Sequence, residues 1–259
     1  MDITVILLFA VGCALLICGA EVLVRHASAL AITVGIPPLI IGLTIVAYGT
    51  SAPELAVAVQ SSYGGQGGLA IGNLVGSNIA NILLILGASA VVTPLVVSKK
   101  IIRLEVPLMI GVSFATLAMG WNHAINRLEA GILFAGAVAY TGFIIYQSLR
   151  DDSAAESALD ELPDDLSSFN SKSSSLPVVV VQLLWIALSL GLLVLGSRAL
   201  VHSASEIARA FGFSELIIGL TVVAIGTSLP ELATCMMASF KGEKDIVIGN
   251  VIGSNIFNI

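Results

Sequence analysis

Apolar residues run along this chain in long blocks, several exceeding about 18 nearly uncharged residues, enough for a helix to cross a hydrocarbon core of about 30 Å. The pattern predicts helices over residues 3–24, 39–62, 69–97, 104–121, 128–149, 176–197, 215–240 and from 246 onward. The connections are short except residues 150–177, which are acidic, Ser-rich and interrupted by two prolines. That composition predicts a hydrophilic linker, with a short helix around Ala154 to Leu159. Its aspartates lack the spacing of an EF-hand loop. The first apolar block has only Asp2 as a charge before it and is long for a secretion signal, so it reads as the first span.

Composition sharpens this into a class. Apolar residues make up 57% of the chain and charged residues 11%, whereas a soluble domain carries about a quarter charged residues. The chain is therefore expected to be an all-α integral membrane protein. Its net charge of −6 lies mostly in the linker, and nothing suggests a nucleic-acid partner. Cys13, Cys18 and Cys235 fall in apolar blocks without metal-ligand spacing and are expected to pack as free thiols. Lys and Arg are unevenly shared between alternate connections: Arg25, Lys99, Lys100, Arg103, Arg150, Lys172, Lys241 and Lys244 against Arg127, Arg198 and Arg209. The bias predicts an outside N-terminus and a cytoplasmic linker.

Self-comparison gives the architecture. Residues 19–82 align without a gap with residues 196–259, at a constant offset of 177. GLTIVAYGTSAPELA (Gly42 to Ala56) and GNLVGSNIANI (Gly72 to Ile82) return as GLTVVAIGTSLPELA (Gly219 to Ala233) and GNVIGSNIFNI (Gly249 to Ile259). Five predicted spans separate equivalent points, so the second copy enters the membrane from the opposite side. This is an inverted-topology repeat, the plan of many secondary transporters, with the substrate site near the midplane where the copies meet. The expected division is a first repeat of five helices at 1–149, the linker at 150–177, and a second repeat at 178–259. The second copy stops at the counterpart of Ile82, which predicts truncation inside its third helix. Two five-helix halves would make about ten spans, of which eight or fewer are present.

The chemistry sits inside the repeated motifs. Glu54 and Glu231 lie deep in apolar helices, where an ionised carboxylate costs at least about 2.5–3.5 kcal/mol and is usually functional. Each follows a proline, Pro53 or Pro230, which lacks an N–H and frees carbonyls near Gly49–Thr50 and Gly226–Thr227. Gly49 and Gly226 are expected to ease the bend. Thr50, Ser51 and Glu54 share one side of their helix, as do Thr227, Ser228 and Glu231. On the next helix Asn73, Ser77 and Asn81 form a polar stripe, repeated by Asn250, Ser254 and Asn258. Glycines at 72, 76, 249 and 253 have the spacing that lets helices approach closely. This is a set of hard oxygen ligands, suited to Ca²⁺ and Na⁺ rather than to soft metals. His26, His123 and His202 are expected at span ends or in loops.

These paired G-T-S-x-P-E and G-N-x-x-G-S-N-I-x-N motifs resemble the α-repeats of the sodium/calcium exchanger family, in particular its compact prokaryotic members. The resemblance implies a ten-helix antiporter exchanging Na⁺ for Ca²⁺ by alternating access in the plasma (inner) membrane. It implies no cofactor and no enzyme activity, and no obligate protein partner is evident. By motif position Glu54 and Glu231 would be the central Ca²⁺ ligands, helped by the Thr50 and Thr227 carbonyls. Ser51, Ser77, Ser228 and Ser254 would form Na⁺ positions with the Ala47 and Ala224 carbonyls, and Asn81 and Asn258 would border the centre. Asn at both of the last two positions, where several members have one Asp, makes K⁺ co-transport less expected. A Ca²⁺/H⁺ exchanger is the nearest rival, although such proteins typically place the acid in a G-N-x-x-E context. A cation channel is a rival of another class, disfavoured by the inversion. An intramembrane hydrolase lacks a base near Ser51, and a non-transporting scaffold is the remaining alternative.

Overall fold

A computed structural model describes residues 3–99, 101–122, 124–148, 176–213 and 224–259. The regular elements among them are all helical: α1 (Ile3–Val34), α2 (Pro38–Thr50), α3 (Ala52–Tyr63), α4 (Gly67–Val92), α5 (Ile101–Asn122), α6 (Arg127–Ser148), α7 (Leu176–Ala210), α8 (Ala224–Thr227), α9 (Leu229–Lys241) and α10 (Lys244–Phe257). The helices at α2, α4 and α5 contain wide turns of π type at Gly42–Val46, Asn81–Ile85 and Ile101–Glu105. Five of the described helices are long and apolar enough to cross a membrane, six if the bent α2–α3 pair counts as one span. The linker, its expected helix at Ala154 to Leu159, His123 and the first part of the 215–240 span lie outside the described residues.

Three predicted boundaries are corrected, the first at α4, which stops at Val92, two residues before Pro94, rather than at residue 97. α1 continues past residue 24 to Val34, and α7 continues past residue 197 to Ala210. Arg25 and Arg198 therefore lie inside helices rather than in connections. The two arginines are exposed while Ala27 to Ile32 and Ser203 are buried, so long cationic side chains leave the packed face free to continue as helix. His26 and His202 are likewise inside helices rather than at span ends. His26 stacks on Trp185 at a centroid distance of 5.3 Å, and its Nδ1 lies 2.5 Å from Gln182 Oε1.

The scaffold is an antiparallel pairing of α1 with α7, the repeat-related helices. A Cβ added at Gly12 would sit 2.9 Å from the Leu200 nitrogen, and one at Gly196 would sit 2.9 Å from the Gly12 carbonyl oxygen. Gly19 meets the Ser189 carbonyl in the same way at 3.1 Å. Glycine at these points lets two backbones touch, as membrane helices do where no hydrophobic force drives association. α10 is buried along nearly its whole length and lies against α2. There Gly249 faces the Leu39 oxygen at 2.6 Å and Gly253 faces the Leu43 oxygen at 2.5 Å, both measured from an added Cβ.

α5 and α6 do the opposite. Val106–Met119 buries no residue, and α6 buries only Ile144 and Ser148. Their large apolar side chains, among them Phe114, Leu117 and Phe134, point outward. The exterior is thus largely hydrocarbon, while the interior combines an aliphatic core with buried serine, threonine, asparagine and glutamate. An apolar exterior around a polar-containing core suits a lipid surrounding.

Candidate cation site

The site begins at two helix breaks. α2 and α3 meet at Ser51 with a bend of 45°, because Pro53 has no proton to give the Gly49 carbonyl and its ring crowds the preceding turn. The ladder steps from the Ser51 N–H on Ala47 (3.0 Å) to the Leu55 N–H on Ser51 (3.1 Å). The second copy breaks at Ser228, where Pro230 frees the Gly226 carbonyl. Ser197 on α7 takes up that carbonyl by donating its hydroxyl at 2.6 Å. The repeat counterpart of Ser197 is Ala20, so this bond belongs to one copy alone.

Gly49 and Gly226 have a tighter role than easing a bend. An added Cβ would run into Leu190 at the first and Val201 at the second. Both glycines let α7 pass directly over the broken segments.

The breaks place Glu54 and Glu231 in the first turns of α3 and α9, where the free N–H groups and the helix dipole favour negative charge. Both are buried, at 0% and 1% exposure. Ser228 donates to Glu54 Oε1 at 3.0 Å, and Ser51 donates to Glu231 Oε1 at 2.8 Å. The serine of each copy serves the glutamate of the other. Ser77 also reaches Glu54 Oε1, at 3.4 Å. The second oxygen of each carboxylate, Oε2, is buried without a hydrogen-bond partner among the described residues.

The same exchange recurs around them. Thr50 donates to Asn250 Oδ1 at 3.1 Å, and Thr227 donates to Asn73 Oδ1 at 3.5 Å. Asn81 donates to Asn255 Oδ1 and Asn258 to Asn78 Oδ1, each at 3.1 Å. Each pair maps onto its fellow when the copies are swapped, which is the bonding expected of a pseudo-two-fold axis through the site. Asn78 and Asn255 are the residues that reading the stripe at every fourth position leaves out. They lie in the G-S-N motif itself and tie the copies together one residue along.

Other expected residues fall as follows. Ser254 donates within its own copy, to Asn250 Oδ1 at 3.4 Å. The Ala47 carbonyl faces both the Ser51 N–H and the Thr50 hydroxyl, the latter at 3.4 Å. Ala224 opens α8. Cys235 is a free thiol buried in the hydrophobic core, as expected, and also accepts from Asn250 Nδ2 at 3.3 Å, while Cys18 is exposed. Buried Thr234 Oγ1 and Asn81 Oδ1 have no hydrogen-bond partner among the described residues. Thr234 has Val57 as its counterpart, so the repeat gives no hint of it.

Chemically the two broken motifs gather hydroxyl, amide and carbonyl groups around two buried carboxylates. Buried acceptors without donors are costly, and a hard cation is the partner that satisfies several at once. Among the described residues no group of three His, Cys, Asp or Glu side chains forms, so the remaining ligands would be hydroxyls, amides and carbonyls.

Known proteins carry the same plan. A family model described as "Sodium/calcium exchanger protein" matches residues 4–146 and 181–259. The "Putative antiporter CaxA" of Alkalimonas amylolytica is 41% identical, over 96% of this chain and 76% of its own. The "Sodium/calcium exchanger MaX1" of Methanosarcina acetivorans is 33% identical, over 98% and 79%. A "Ca(2+)/H(+) antiporter ChaA" of Bacillus subtilis is 26% identical, over 96% and 72%. Among solved structures, the sodium-calcium exchanger NCX_Mj soaked with Na⁺ and Sr²⁺ superposes with a TM-score of 0.82 at 30% identity, covering 100% of this chain and 80% of that one.

Proposed function

Since this chain belongs to the sodium/calcium exchanger protein family, we propose that it exchanges Na⁺ for Ca²⁺ by alternating access at a site shared between its two repeat copies. The observation that carries the reading is the reciprocal pair Ser228–Glu54 and Ser51–Glu231, which brings two buried carboxylates into one hydroxyl-lined pocket. Two carboxylates cancel the charge of one Ca²⁺, and that ion takes six to eight oxygens. Glu54 and Glu231 are its central ligands, with the Thr50 and Thr227 carbonyls. Ser51, Ser77, Ser228 and Ser254, with the Ala47 and Ala224 carbonyls, hold Na⁺ nearby, and Asn81 and Asn258 border the centre.

Exchange rather than one-way leak follows from electrostatics. Two buried like charges without a counterion carry a large desolvation and repulsion penalty. The halves therefore change access far more readily with one Ca²⁺ or with Na⁺ ions in place than with neither. Residues 1–149 and 178–259 serve as the two halves, joined by 150–177. The remaining Lys and Arg near helix ends favour an N-terminus outside a plasma membrane with the linker in the cytoplasm.

The test is Ca²⁺ uptake into Na⁺-loaded proteoliposomes, with Glu54→Gln alongside. Uptake that needs the outward Na⁺ gradient and vanishes in the variant is expected. The similarity to a Ca²⁺/H⁺ antiporter favours a second reading in which protons replace Na⁺. Uptake driven by a proton gradient and indifferent to Na⁺ would select it.

A further inference from the structure

The asparagine of each G-N motif is anchored differently in the two copies. In the first, Asn73 Nδ2 donates to the Glu54 carbonyl at 3.3 Å, and residue 58 of α3 is alanine, whose side chain offers no acceptor. In the second, the counterpart of Ala58 is the buried Cys235 on α9, and Asn250 Nδ2 donates to its sulfur at 3.3 Å. The thiol gives its own proton to the Val247 carbonyl, 3.9 Å from the sulfur, which leaves the sulfur lone pairs to accept. At the other end of the amide, Asn250 Oδ1 accepts from Thr50 at 3.1 Å and from Ser254 at 3.4 Å. The row has one direction: hydroxyls to amide oxygen, amide nitrogen to sulfur, thiol to carbonyl. An amide has nearly the same shape turned over, so its partners decide which end faces the hydroxyls.

We propose that Cys235 is a positioning residue for the Na⁺ position at Ser254: its sulfur holds the Asn250 amide with the oxygen toward the Thr50 and Ser254 hydroxyls. The inference rests on the exchanger reading and deepens it by naming a residue that acts on Na⁺ through another side chain. With Oδ1 taking the Ser254 proton, the lone pairs of that hydroxyl are left for a cation. Turned over, the amide would donate into those lone pairs and aim an N–H at the ion. Asn250 is 0% exposed, so an amide that loses the sulfur leaves a buried donor in need of a partner, and the hydroxyl oxygens already beside it are at hand. An orientation held by one neutral hydrogen bond is worth about tenfold at that position. Two or more Na⁺ must replace one Ca²⁺ to match its charge, so the Na⁺ concentration that displaces Ca²⁺ moves by at most the square root, about threefold. Ca²⁺ on Glu54, Glu231 and the Thr50 and Thr227 carbonyls uses neither hydroxyl and feels little of it.

The experiment compares the full chain with Cys235→Val, which fills the space without an acceptor, and Cys235→Ser, which keeps donor and acceptor in less volume. Radioactive Ca²⁺ binding to purified protein is measured in choline chloride and then titrated with NaCl at constant ionic strength. In Cys235→Val the Na⁺ concentration that displaces half the Ca²⁺ is expected to rise about two- to threefold, while Ca²⁺ affinity without Na⁺ stays the same. Cys235→Ser is expected to be displaced as wild type is. A role in packing alone predicts the reverse order, with valine close to wild type and serine impaired, and that order would overturn the inference. So would equal shifts for both ions, or no shift in the valine variant. Ca²⁺ uptake into Na⁺-loaded proteoliposomes separates the two readings. A wild-type chain whose bound Ca²⁺ is displaced by Na⁺ without any exchange refutes the exchanger reading alone, and one whose Ca²⁺ is indifferent to Na⁺ refutes both.

Discussion

Gly249→Ala is the sharpest probe of how the site is held together. The added methyl would lie 2.6 Å from the Leu39 oxygen, 2.9 Å from the Leu43 nitrogen and 3.0 Å from the Gly42 carbon, all backbone atoms of α2 that have no rotamer to escape through. Reaching an ordinary contact of 3.4 Å from the nearest atom requires α10 to withdraw by about 0.8 Å. Overpacking of this kind costs about 1–3 kcal/mol. The same withdrawal stretches the Thr50–Asn250 bond from 3.1 Å beyond hydrogen-bonding range, adding about 0.5–1.5 kcal/mol. A combined loss of roughly 2–4 kcal/mol follows, together with weaker binding of any cation held between α2 and α10. The matched control is Gly136→Ala on α6, where an added Cβ meets nothing within 4 Å. There the better helix propensity of alanine is worth up to about 1 kcal/mol. Thermal unfolding in detergent, with and without Ca²⁺, reads both. If Gly249→Ala melts with wild type and keeps the same Ca²⁺ protection, the close α2–α10 contact is not what positions the site.

Other consequences can be checked separately. Ser51→Ala and Ser228→Ala each remove one donor from a buried carboxylate at similar length, and each should destabilise the ion-free protein by about 1–3 kcal/mol; thermal unfolding showing an effect in only one would contradict the two-fold arrangement. Ser197→Ala leaves the Gly226 carbonyl bare and should destabilise the protein by about 1–3 kcal/mol, measurable as a lower unfolding temperature. Lys241→Gln should change stability by no more than about 0.5 kcal/mol, since its pair with Glu21 is 3.6 Å long and half open to the surroundings. Burial raises the pKa of Glu243, in the connection between α9 and α10. An acid with a raised folded pKa favours the fold below its unfolded value and loses that contribution as pH rises through the folded value. Glu243→Gln should therefore be more stable than wild type at neutral pH, with the advantage fading on acidification, and a stability difference independent of pH would rule this out.

Repetition made the centre of the molecule legible in the sequence. Glu54 and Glu231, with their serines and threonines, stand at matching points of two copies, and proline explains both breaks before any coordinates are seen. What repetition could not reveal lies where the copies differ. Ser197 faces the Gly226 carbonyl while its counterpart is Ala20; Thr234 corresponds to Val57, and the Cys235 thiol that meets Asn250 corresponds to Ala58. Helix ends failed for another reason. Charge is costly in hydrocarbon, so Arg25 and Arg198 look like boundaries in the sequence, yet a long helix can turn one charged side chain outward and go on packing along its other face. Asn78 and Asn255 escape the sequence pattern because a stripe on one helix says nothing about contacts that only form when a second helix crosses it.

The exchange of donors between copies also sets an order of events during synthesis. Glu54 is made 174 residues before Ser228, an interval of roughly 10–35 s at ordinary rates of translation. Through that time it can rely only on its own half, and Ser77, 23 residues downstream, is the hydroxyl within reach. Glu231 faces no such wait, since Ser51 is already in the membrane when it emerges. Ser254, the counterpart of Ser77, donates to Asn250 instead. The copy made first is the one whose glutamate has a donor of its own.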